Sequence, residues 1–275
     1  MNIEESSIFT LNRFNLLTTL LVILNSNDAN DTNFIIAKYI IEHINEIKSM
    51  SIYDLADACF VSRSSIQRFL KNIGYESYTQ LKHSIDVVIS HQKAYAAYTN
   101  RTGFPEFVSV SINNMITDID ATCAGKTFDH LVDLLYSSKN VYMLSAEDSV
   151  EAIKVFQRCM LSIGKIIRIY TNASSNFDFT SSLAKDDLVV VSSGTGNFAL
   201  VINEMMKPIT AHKYLLTWNT STLFENNYEA IQYIGTSMSF SSSELTASKN
   251  VYNTYGLTYL FDRLFHAYFT RYHNK

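Results

Sequence analysis

The chain has 275 residues, 47% of them hydrophobic and 17% charged, with eight Gly, two Pro and a formal net charge of −4. That length suggests two units, each large enough for its own core, and the composition excludes intrinsic disorder and fibrous repeats. The negative net charge excludes a whole-protein electrostatic grip on nucleic acid and leaves room only for a local basic face.

The first long apolar stretch, Leu16 to Leu24, is interrupted by Thr18 and Thr19 and falls short of the ~20 residues that cross a bilayer. Glu4 and Glu5 stand where a signal peptide carries positive charge, and no small-residue cleavage site follows. A buried helix in a cytoplasmic protein without a membrane partner is expected. Leu16, Leu20, Ile23 and Leu24 share one helical face, and Ile36, Ile40, Ile44 and Ile47 share another. The polar run 25–33 between them reads as a turn, because Asn and Asp satisfy turn backbone through their own side chains.

Ser77, with Gln80 three residues on, makes a capping box for a further helix through Leu81, Ile85, Val88 and Ile89 that ends near Tyr98. The three cysteines, Cys59, Cys123 and Cys159, are odd in number and show no C-x-x-C spacing. Buried thiols are expected, with no disulfide framework, no metal site and no cofactor.

Residues 99–105 combine polar side chains with Gly103 and Pro105 and form the expected linker. Before it, residues 1–98 carry helical signals. After it, residues 106–275 alternate short β-rich runs with helical stretches: Asn140 to Leu144, Ile166 to Tyr170, Leu188 to Val191, Tyr214 to Thr217, and Ile231 to Ile234. The expected fold class is α plus α/β: a helical domain, then an α/β/α sandwich with a five-stranded parallel sheet. Tyr252 to Tyr272 reads as a closing aromatic helix, core or dimer interface.

Within the helical domain, Ser51-Ile52-Tyr53-Asp54 has the S-x-x-D form of a capping box and turns Leu55 and Ala56 inward. Cys59-Phe60-Val61 interrupts that helix. Ser62 caps the next, whose Ile66, Phe69, Leu70 and Ile73 follow the spacing of a buried stripe, and Gly74 ends it. The result is a helix-turn-helix at 51–73. Ser64, Gln67, Arg68 and Lys71 fall opposite the stripe, with Arg63 on the flank. Residues 58–75 contain three Arg or Lys and no acid, so the local field suits phosphate, while Ser and Gln can bond base edges. Ser62, Arg63, Ser64, Ser65, Gln67, Arg68 and Lys71 are the candidate DNA contacts. The competing reading is a small amphipathic helix with a solvated polar face.

The wording of the segment adds to this. Ser51 to Ala56, Cys59-Phe60-Val61-Ser62, Ile66-Gln67-Arg68-Phe69, Ile73-Gly74-Tyr75, and Tyr78, Leu81 and Lys82 resemble the N-terminal domain of RpiR/MurR-type sugar-phosphate-responsive regulators. The resemblance is densest over residues 34–85, and Phe60 departs from it where helix-turn-helix turns carry a small residue. It implies a SIS (sugar isomerase) domain in the second half, self-association as a dimer or tetramer, and a palindromic double-stranded DNA operator.

Two strand-to-helix turns are candidates for the effector: 145–149, with Ser145 and Ser149, and 192–197, with Ser192, Ser193 and Thr195. Hydroxyls at such turns suit a phosphate. The resemblance implies G-x-G-x-S in the first turn and S-x-S-G-x-T in the second. Ser145 and Glu147 replace the glycines, and Phe198 replaces the final Thr. Three readings stand side by side: hydroxyls that merely cap helices, a retained phosphosugar site, and an altered ligand such as an amino sugar facing Glu147 and Asp148. Catalysis as a sugar-phosphate isomerase is the alternative to regulation. It would need His212, His266, Glu204 or Glu244 as acid or base, and no spacing links these to the serine turns.

Overall fold

The computed structural model describes residues 16–146, 149–171, 183–235 and 251–274. The chain divides into two compact units, Met1–Ala97 and Tyr98–Lys275.

In the first unit, α1 (Leu16–Ser26) buries Leu16 and Leu20. The expected burial holds for one face only, since Leu21 and Val22 are 43% and 36% exposed. Asp31 caps α2 (Thr32–Glu42) by accepting the amides of Asn33 and Phe34. The stripe Ile36, Ile40, Ile44 and Ile47 is buried as expected, but His43 breaks it into α2 and a single turn, α3 (Ile44–Ile47). Then come α4 (Ile52–Ala58), α5 (Arg63–Asn72) and α6 (Tyr78–Thr99). Leu55, Ile66, Phe69, Leu70, Leu81 and Ile85 join Leu20, Ile36 and Ile40 in one core. The Ser77 hydroxyl accepts the Gln80 amide as expected, but Gln80 reaches back to the amide of Glu76. The capping box is displaced by one residue on its return side.

The expected linker is shorter than the run 99–105. Thr99 ends α6, while Phe104 and Pro105 already belong to α7 (Phe104–Cys123). Proline in the first turn costs no hydrogen bond there. After α8 (Lys126–Ser137) come β1 (Val141–Ser145), α9 (Val150–Ser162), β2 (Ile167–Thr171), β3 (Leu188–Ser192), the short α10 (Asn197–Val201) and α11 (Asn203–Met206), and β4 (His212–Thr217). A 3-10 turn (Thr222–Phe224), β5 (Ala230–Tyr233), a π turn (Tyr252–Gly256) and α12 (Leu257–Tyr272) complete the second unit. All five expected strands are present, most of them shifted by one residue.

The strands form one parallel sheet in the order β2-β1-β3-β4-β5. Every residue of β1 and β3 is buried, as strands covered on both faces must be. On one face Val141, Met143, Leu188, Val190, Tyr214 and Leu216 pack with Ile119 of α7, Leu131 of α8, Phe156 of α9 and Phe261 of α12. The chain leaves β1 toward β2 on one side and leaves β3 toward β4 on the other. Right-handed crossovers therefore place α9 and the α10–α11 connection on opposite faces, and Phe198, Ile202 and Met206 of that connection are buried. The closing helix buries Leu257, Leu260, Phe261, Leu264 and Tyr268. Cys59 and Cys123 are buried and their thiols are pushed up to about 11 by desolvation, while Cys159 is only half-buried, a partial departure from expectation.

Phe60 is the one non-glycine residue with positive φ among those described, at 55°, and it is 95% exposed. A left-handed residue with a Cβ costs roughly 1–2 kcal/mol, and burial returns nothing here. Replacing Phe60 with Gly removes that strain but adds freedom to the unfolded chain. A net gain of about 0.5–1 kcal/mol is expected, read as a higher urea midpoint with an unchanged m-value.

Candidate functional site

The helix-turn-helix is built by local hydrogen bonds. The Ser51 hydroxyl accepts the Asp54 amide and the Asp54 carboxylate accepts the Ser51 amide, a closed capping box. That amide bond holds the Asp54 carboxyl below its ordinary pKa. Val61 N–H returns to the Ala56 carbonyl across the turn. Ser62 then caps α5 by accepting the Ser65 amide at 3.1 Å, and its hydroxyl also meets those of Ser64 and Ser65. Ile66, Phe69, Leu70 and Ile73 are buried, and Gly74 takes φ 84° just past the helix.

The structure places the expected reading residues in three settings. Ser62, Ser64 and Ser65 form the hydroxyl cluster at the cap. Arg63 is exposed, but its Nη1 donates to the Tyr53 hydroxyl at 2.9 Å and its guanidinium carbon lies 5.0 Å from the Tyr53 ring centre. Gln67, Arg68 and Lys71 are exposed and make no side-chain hydrogen bond or ion pair among the described residues. Arg63, Ser64, Gln67, Arg68 and Lys71 line one groove with Ile52, Glu76 and Tyr78.

In the second unit the direction of chain travel reverses between β1 and β3, and the carboxyl ends of strands at such a switch point are where open α/β sheets take ligands. Ser145 and Ser192 end those strands and are paired in register, with Thr171 on the other side of Ser145. Both serines are buried at 0% and 1% exposure, and neither hydroxyl has a hydrogen-bond partner among the described residues. A buried hydroxyl left unpaired costs free energy.

The other expected effector residues divide. Ser193 is spent within the fold, its hydroxyl accepting the Ala199 amide at 3.1 Å. Thr195 is half-buried and accepts the Asn197 amide at 3.4 Å, with Gly196 rather than Thr195 at the N-cap. Ser149 stands at the N-cap of α9 but makes no cap hydrogen bond there. The reading of these hydroxyls as helix caps therefore fits Ser193 better than Ser149 or Thr195. Glu147 and Asp148 lie outside the described residues.

The second turn is clasped by the end of β4. Thr217 donates its hydroxyl, and Trp218 its amide, to the Gly194 carbonyl, while Asn219 Nδ2 donates to the Thr195 carbonyl. A Cβ on Gly194 would lie 2.3 Å from the Trp218 ring, and one on Gly196, which has φ 82°, would lie 2.6 Å from Asn219 Nδ2. From Trp218 the contacts run inward: its ring meets Tyr252 edge-on at 6.4 Å, and the Tyr252 hydroxyl donates to Asp118 of α7 at 2.7 Å.

Residues 18–92 match the model of the helix-turn-helix domain, rpiR family. The chain carries an rpiR-family helix-turn-helix domain. It is 23% identical over 182 residues to an uncharacterized HTH-type transcriptional regulator in the aarA 3' region of Providencia stuartii, covering 62% of this chain and 63% of that one. A 53-residue stretch is 42% identical to the HTH-type transcriptional regulator GlvR of Bacillus subtilis, covering 19% of this chain and 21% of that protein. The chain thus spans less than two thirds of either relative. Among solved structures, the Vibrio vulnificus NanR protein complexed with ManNAc-6P aligns over 94% of this chain and 92% of that one, at 17% identity and a TM-score of 0.47.

In the rpiR-type domain, sequence reasoning missed Tyr53, because a contact across the turn follows no helical period. In the α/β unit it missed Trp218 and Asn219. The chain's one tryptophan directly after a strand was the available signal. Gly194→Ala forces that indole out of its seat, an overpacking that costs about 1–3 kcal/mol. The expected result is a red-shifted tryptophan emission with unchanged far-UV circular dichroism.

Proposed function

We propose that the chain is a DNA-binding transcriptional regulator of sugar or amino-sugar metabolism genes, and that its α/β unit binds a sugar phosphate or a related sugar. The observation that carries this reading is the pairing, on one chain, of an rpiR-type helix-turn-helix with a parallel sheet whose switch-point strands end in two buried hydroxyls that have no partner among the described residues. Arg63, Ser64, Gln67, Arg68 and Lys71 face DNA. Ser145 and Ser192, with Thr195 at the rim, face the effector. Ser62 and Ser193 serve by shaping their turns. The protein acts in the cytoplasm as a dimer or tetramer on a palindromic operator, since two-fold operators match two-fold proteins.

The isomerase reading is disfavoured by position. His212 begins β4, at the opposite end of the sheet from the serines, and bonds Glu229 at 2.7 Å. Glu204 is exposed and paired with Lys207, and His266 is exposed on α12. Glu244 lies outside the described residues. A general base must reach the carbon that loses its proton, and none of the three described candidates lies on the strand ends that carry Ser145 and Ser192.

In this reading the effector loads the Gly194 turn, Trp218 shifts against Tyr252, and Asp118 passes the change to α7, the first helix of the sensor unit. Effector and operator affinities are then coupled by one free energy, reciprocally.

Gel shifts on DNA upstream of the chain's own gene and the adjacent operon test the first half. Arg68→Ala should weaken binding and reduce the slope of log K against log salt by about one, and unchanged binding would sink the proposed reading face. Tryptophan emission, titrated with pentose and hexose phosphates and with amino-sugar phosphates including ManNAc-6P, tests the second half. A saturable change abolished by Ser192→Val is expected. For the coupling, Tyr252→Phe should leave effector affinity within about twofold while shrinking the effector's influence on operator affinity, since 1–3 kcal/mol is the usual size of such a coupling. An undiminished influence would exclude the Tyr252–Asp118 route.

A further inference from the structure

The two arginines of the reading helix are held differently. Arg68 and Lys71 make no hydrogen bond or ion pair among the described residues. Arg63, by contrast, is fixed from outside its own helix: Tyr53, ten residues earlier on α4, takes a hydrogen bond from Nη1 and sets its ring beside the guanidinium. Tyr53 is itself 58% exposed. A contact between two exposed side chains does little for stability, so the pair calls for a reason other than holding the fold.

The guanidinium supplies one. Arginine recognises planar acceptors through two parallel N–H bonds, and orienting its plane in advance lowers the entropy lost on binding. With Nη1 turned to the phenol, Nη2 and Nε remain as an adjacent donor pair. Such a pair matches the N7 and O6 acceptors of guanine in the major groove. Arg63 is also the first residue of α5, in the part of a recognition helix that meets base edges. An exposed cation with no partner among the described residues, such as Arg68 or Lys71, is better suited to a phosphate, which accepts from many directions.

We propose that Arg63 reads a guanine in each operator half-site and that Tyr53 is its positioning residue, while Arg68 and Lys71 grip the backbone. This rests on the DNA-binding reading above and deepens it by assigning which cation reads sequence.

The test is selection of binding sites from a random duplex library by the full chain, followed by affinity measurements on the selected duplex and its single-base variants across a salt series. Wild type should enrich a two-fold site with a strong G·C preference at one position per half-site. Arg63→Ala should flatten that preference about tenfold or more and leave the others. Tyr53→Phe keeps the ring and deletes the acceptor, so it should relax the same position by a smaller factor without changing the salt slope; Tyr53→Ala should relax it further. Arg68→Ala should lower affinity for every sequence and reduce the slope. Preferences unchanged in Arg63→Ala, or a Tyr53→Phe loss equal at all positions, as a phenol on a phosphate would give, overturn this inference and leave DNA binding standing. Failure of wild type to enrich any site removes both.

Discussion

Parallel strands can be joined only by crossovers of one hand, and the site in the second unit depends on that constraint. With β1 and β3 adjacent and their outgoing connections running to opposite edges, the two crossovers must lie on opposite faces. Ser145 and Ser192 are brought side by side by register alone, although 46 residues separate them in the chain. The turn that follows β3 could not keep its path without Gly194, because the Trp218 ring occupies the place of a Cβ. The meeting of these two serines is thus a consequence of topology and register.

The first unit is organised by a more local constraint. Two short helices follow one another closely, so the chain has to turn within Cys59 to Val61 and restart at once. Ser51 with Asp54, and Ser62, satisfy the amides that the two helix starts expose. The cost of the turn falls on Phe60, which holds a left-handed backbone with no packing in return. The same economy leaves the outer face of α5 without an acid, and this is how a chain of net charge −4 presents a local positive surface.

Much of this was legible in the amino-acid sequence, for identifiable reasons. Helical stripes such as Ile66, Phe69, Leu70 and Ile73 have a period, caps such as Ser51 and Ser62 have a spacing, and the five strands have both β-rich composition and regular alternation with helices. Contacts that join distant segments have none of these. Tyr53 meets Arg63 because the turn between them sets α4 against α5, and Trp218 meets Gly194 because β4 lies beside β3. Ser193 illustrates the same limit. It sits in the expected hydroxyl turn, yet its oxygen is used by the Ala199 amide, and only coordinates distinguish a spent hydroxyl from an available one. The shortening of the linker has a simpler cause: Pro105 reads as a helix breaker, but at the first turn of α7 it is compatible with the helix.

The buried pair Tyr252–Asp118 bears on how the two units could communicate. Asp118 is 8% exposed and hydrogen-bonded to the Tyr252 hydroxyl. Gly235 permits the approach, since a Cβ there would lie within 2.2 Å of the carboxylate. A buried carboxylate is expensive unless its hydrogen bonds are kept, so a displacement of Tyr252 must be followed by Asp118 or be penalised. That makes the connection between the Gly194 turn and α7 stiff. Trp218 sits between the turn and Tyr252 with 5% of its surface exposed, and a close-packed interior has no slack into which a shifted indole could relax. Only residues 100–103 separate α6 from α7, so the helix that carries Asp118 follows the first unit directly in the chain.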